Sequence, residues 1–198
     1  SVNNIMIALY AFVIISFFIT IVDIIIRFPL QSEMIDYNDI QAIVINVLAL
    51  LIQIVSFAYG FVNAIRGMLS PKRMGAVITA FFAATCITGT GNMVIYSNVQ
   101  IVLWWIVLII PNIVGAVATF AYFVLGKKSK IYSIIIYLVA IWGMFRIIYS
   151  NYNLIVHANQ YLSMNSTVRL VLGIAIHCLV IYQTYVLWIK RQNAIDIS

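Results

Sequence analysis

Six long apolar runs, separated by short polar stretches, repeat along the chain. They cover residues 5–26, 40–64, 76–96, 101–125, 131–149 and 168–189. Each is close to the roughly 20 residues a helix needs to cross a hydrocarbon core about 30 Å thick. The pattern predicts an all-α fold: one polytopic domain, an integral membrane bundle of six transmembrane helices. The first run is not followed by a small-residue cleavage site, so it reads as a retained helix rather than a signal peptide. Pro29 is expected to end that first helical region.

Composition removes the soluble alternatives. The 198 residues are 65% hydrophobic and 8% charged, against roughly 25% charged for an ordinary soluble domain. The few charges are sorted by position. Arg66, Lys72, Arg73, Lys127, Lys128, Lys130, Lys190 and Arg191 fall at one end of the predicted bundle. Glu33, Asp36 and Asp39 fall at the other, with Asp23, Arg27, Arg146 and Arg169 near them. Basic turns stay in the cytoplasm during insertion, so both termini are expected to be cytoplasmic. The net charge of +6 is then an insertion signal and not a nucleic-acid footprint, with attraction to anionic headgroups as a side effect. The expected partners are the lipid bilayer and other membrane proteins, or a second copy, through helix contacts.

Asp23 and Arg27 stand four residues apart on one helix face and can pair. Every cation near the acidic end is an arginine, whose planar fork suits bidentate pairing with carboxylates. Arg146 and Arg169 are therefore expected to reach Asp23, Glu33, Asp36 or Asp39 as structural ion pairs. Anion binding is the sharper alternative for the same arginines.

Polar chemistry gathers in the third and fourth runs. Ala76, Ala80, Ala84 and Thr88 repeat every four residues, a small-residue face that lets another helix approach closely. Thr88, Thr90 and Asn92 follow among two glycines. Pro111 is expected to kink the fourth helix, and Asn112 to bond the freed carbonyls or a neighbouring helix. With Gln53 and His177 these form the candidate set. They line a polar path, as broken helices do in transporters, or they serve helix contacts and bond back to their own carbonyls. A path requires all of them to converge on one water-accessible cavity.

Catalytic signatures are missing from the sequence: no GxSxG, no HExxH, no carboxylate pair within a span, no Cys/His cluster. Cys86 and Cys178 read as small hydrophobes, and Cys178 points about 100° away from His177 on a helix. No catalytic residue, metal or cofactor is expected. The function expected is that of a non-catalytic multi-pass membrane protein: an accessory or assembly subunit of a secretion or transport complex, or an immunity-type protein. The alternative is a small-solute or ion transporter or channel with its path at the third and fourth helices. Abundant isoleucine, asparagine and tyrosine point to an A/T-rich genome, and so to the cell membrane of a low-GC bacterium.

Overall fold

A computed structural model of the chain describes residues 2–31, 37–95, 105–151 and 164–195. Those residues form six helices and no strand: α1 (Val2–Gln31), α2 (Tyr37–Ile65), α3 (Pro71–Ile95), α4 (Trp105–Val124), α5 (Lys130–Ser150) and α6 (Met164–Ile195). Each is long and apolar enough to cross a membrane. The described residues are all-helical, and six helices of this length and apolarity are consistent with a multi-pass integral membrane protein.

Helix ends follow local chemistry more closely than hydropathy does. α3 starts at Pro71, five residues before its apolar run. Ser70 precedes it, and its Oγ accepts from the Arg73 backbone N–H at 3.4 Å. Proline at the first helical position after a serine cap is a favoured start, because its missing N–H would have been unpaired there anyway. α2 ends in a left-handed Gly67 at φ +64°. There the Met68 N–H reaches the Asn63 carbonyl at 2.8 Å and the Gly67 N–H reaches that of Ala64 at 3.1 Å, a Schellman closure. Contrary to expectation, α1 runs through Pro29 to Gln31. Pro29 lies in the last turn of α1, so the one hydrogen bond its missing N–H removes is at the helix end.

Each helix packs against the next in sequence, and α6 packs back on α1. A thinner contact between α3 and α6 crosses the middle. The bundle is thus two four-helix rings, α1–α2–α3–α6 and α3–α4–α5–α6, sharing α3 and α6. An aromatic chain runs through the first ring: Tyr10 and Phe17 on Phe57, Phe57 on Phe81, Phe81 on His177, with centroids 5.3–6.3 Å apart. Such tilted ring pairs add to what burial alone contributes.

The outer faces are as apolar as the core. Leu48, Leu51 and Val55 on α2, and Leu138, Ile141 and Phe145 on α5, are exposed. Lipid is as apolar as leucine, so the helices are held by close packing and hydrogen bonds rather than by burial. Glycines supply the close approach. A side chain at Gly115 of α4 would meet Val139 and Phe82, and one at Gly89 of α3 would meet Leu108. The expected alanine face divides: Ala84 is buried, Ala80 and Thr88 are half-buried, and Ala76 is exposed.

Candidate functional site

Three groups of polar side chains inside the bundle engage more than one helix or a helix irregularity. The first surrounds Pro111 of α4. Pro111 has no N–H, so the carbonyl of Val107, four residues earlier, loses its regular helical partner. The indole Nε1 of Trp142, on α5, donates to that carbonyl at 2.8 Å. Asn112 Nδ2 donates to the next carbonyl, Leu108, at 2.7 Å. The backbone before the proline widens into a π-helical turn over Trp105–Ile109. The Cys86 thiol of α3 lies 3.9 Å from the Ile109 carbonyl. In a hydrocarbon medium an unpaired carbonyl is costly, and a donor from a neighbouring helix and one from the same helix both serve this turn.

The second cluster centres on His177 in the middle of α6, which is 4% exposed. Its Nδ1 lies 2.7 Å from the Gly173 carbonyl. A carbonyl only accepts, so Nδ1 carries the proton. The ring meets Phe81 edge to face, with centroids 5.3 Å apart. Its Nε2 edge rests against Gly143 of α5, where any Cβ would collide with the imidazole. Gly143 is therefore the hole into which His177 packs.

The third cluster ties α1 to α6. Gln183 Nε2 donates to the Tyr10 hydroxyl, and both residues are fully buried. Gly60 of α2 makes room for the tyrosine ring. Gln183 Oε1 and the hydroxyls of Thr79 and Thr119 are buried and have no hydrogen-bond partner among the described residues.

The basic end of the bundle has its own latch. Arg191, near the end of α6, donates to the Tyr122 carbonyl at 2.7 Å and the Lys127 carbonyl at 3.0 Å. Its guanidinium also lies over the Tyr122 ring, 4.2 Å from the centroid. A cation on the last carbonyls of a helix satisfies groups that have no intrahelical partner and complements the helix dipole.

Asn112 and His177 are each bonded within their own helix. Gln53 and Thr88 are half-buried and Thr90 is exposed. Arg146 is half-buried on α5. The side chains of Asn92, Asp23, Arg27 and Arg169, and of the acidic residues Glu33, Asp36 and Asp39, lie outside the described residues. Sequence reasoning missed Tyr10, Trp142, Gln183 and Arg191. Gln183 carried a signal, being polar within an apolar run as Gln53 is. The partners of Trp142 and Arg191 are backbone carbonyls, which no residue pattern marks. No known protein family matches this chain, and neither a curated protein nor a solved structure is similar to it.

Proposed function

We propose that this is a non-catalytic membrane protein that works through helix contacts with another membrane protein. It would be an accessory or assembly subunit of a secretion or transport complex, or shield a membrane target as an immunity protein does. One observation carries the reading: the two buried polar candidates, Asn112 and His177, both bond to carbonyls of their own helices. Side chains used this way hold a bundle together. In this reading both termini and the basic turns face the cytoplasm, and the membrane is the cell membrane of a low-GC bacterium. Purification from native membranes in mild detergent tests it: stoichiometric recovery with a second membrane protein is expected, and recovery of this chain by itself counts against it.

A second reading, a small-solute or ion transporter, draws on one place. The antiparallel register that sets Gly75 against Phe123 and Gly89 against Leu108 brings Thr79 level with Thr119. Their unpartnered hydroxyls are the sort of groups that line a path. Flux through proteoliposomes that Thr79→Val and Thr119→Val abolish would favour this reading over the first.

A further inference from the structure

Hydroxyls inside the spans commonly bond back to their own helix. Ser16, Thr20, Thr85 and Thr184 each donate to the carbonyl four residues earlier, at 2.8–3.0 Å. This is the local way for a helix to satisfy such a group. Thr79 on α3 and Thr119 on α4 depart from it. Both hydroxyl oxygens are buried and have no hydrogen-bond partner among the described residues.

These two side chains lie on the same seam. Gly75, Thr79, Phe82, Cys86 and Gly89 follow one another along α3 at steps of four and three, the spacing of a stripe that faces a neighbouring helix. Four of the five touch α4. Gly75 meets Phe123, Phe82 meets Gly115 and Gly89 meets Leu108, while the Cys86 thiol lies 3.9 Å from the Ile109 carbonyl. Thr79 is the fifth member of that stripe. On α4, Thr119 stands four residues from Gly115 and four from Phe123, so it shares the face that both present to α3. Thr119 is fully buried. The contacts run antiparallel, which sets Thr79 opposite Thr119. Phe82 seated on Gly115 packs the seam on one side of the pair, and Phe123 seated on Gly75 packs it on the other.

We propose that Thr79 and Thr119 hold one internal water molecule between α3 and α4, each hydroxyl bonded to it. Polar groups left unpaired in apolar surroundings are costly, and an internal water is held by about two to four polar partners. The side chains select the ligand. Each hydroxyl both donates and accepts, as water does, and neither carries the charge that would favour a cation. The water joins two helices that no direct bond between these side chains joins, just ahead of the π-helical turn Phe120–Val124 of α4. The inference rests on neither reading of the function: an enclosed water braces the bundle and is distinct from a continuous path.

Crystals of the full chain grown from a lipid phase, diffracting well enough to show ordered water, test the site. One density peak within hydrogen-bond distance of both hydroxyl oxygens is expected. It should persist in Thr119→Ser and be lost in Thr79→Val and in Thr119→Val. Growth in rubidium chloride should place no anomalous signal there. Thermal unfolding in detergent gives a second readout. Either valine displaces the same water, so the two losses in melting temperature should not add in the double variant. Additive losses would overturn the proposal. So would a direct Thr79–Thr119 bond with no peak, a rubidium signal at the pair, or a file of waters running from the pair to a membrane face.

Discussion

Trp142 on α5 donates its indole N–H to the carbonyl of Val107 on α4, 2.8 Å away, the carbonyl that Pro111 leaves without its regular partner. A proline in one span is thus matched by a tryptophan in the next. Trp142→Phe keeps the ring and removes the donor. It should destabilise the bundle by about 0.5–2 kcal/mol, the range for a lost interhelical hydrogen bond in a membrane. Pro111→Ala restores an intrahelical N–H, so the double variant should lose less than the sum of the two single losses. Reversible unfolding in mixed detergent micelles measures all three.

Gly143 and His177 form a knob and its hole. Gly143→Ala should cost about 1–3 kcal/mol, as overpacking of a tight contact does. The same change in a His177→Ala background should cost much less, because the ring that the new methyl meets is gone. The same unfolding assay reads the coupling. A proton-relay role would instead predict that His177→Ala abolishes activity with little change in stability.

Tyr10 and Gln183 tie α1 to α6 while buried from solvent and lipid alike. Tyr10→Phe leaves both ends of the Gln183 amide unpaired and should cost about 1–3 kcal/mol. Gln183→Leu on top of it removes the orphaned amide and should recover part of that loss. A double-mutant cycle on thermal stability in detergent checks the sign.

Arg191 closes the end of α4 through two carbonyls and one ring. Arg191→Ala should loosen the turn at Gly126 and speed trypsin cleavage at the exposed Lys127 and Lys128 severalfold. Arg191→Lys should restore only part of the protection, since a point charge lacks the planar fork that spans two acceptors. Equal cleavage rates for all three proteins would remove the latch from consideration.

The six spans are legible from the apolar runs because the hydrocarbon thickness imposes their length directly. Their ends are less so: hydropathy places the start of α3 at residue 76, while the serine cap and Pro71 set it five residues earlier. Within the spans, Asn112 is legible as a donor to carbonyls around Pro111, since the missing N–H is written in the sequence. Trp142 and Gly143 are not, because each takes its role from a residue on another helix. Periodicity reports which residues share a face, whereas a hole for an imidazole depends on the register between α5 and α6. The alanine ladder misleads for the same reason: Ala76 and Ala84 share a face by spacing, yet bundle geometry buries one and exposes the other.

The most direct measurement of how this protein works is a site-specific photo-crosslinking scan in its native membrane. A photoreactive residue replaces, one at a time, the exposed positions Val44, Leu48, Leu51 and Val55 on α2, and Ile134, Leu138, Ile141 and Phe145 on α5. Action through helix contacts predicts adducts to one other membrane protein at helical spacing along one of these faces, with the opposite face silent. Lipid adducts alone at every position, together with water-accessible cysteines introduced at Thr79 and Thr119, would contradict that claim and identify a path through α3 and α4.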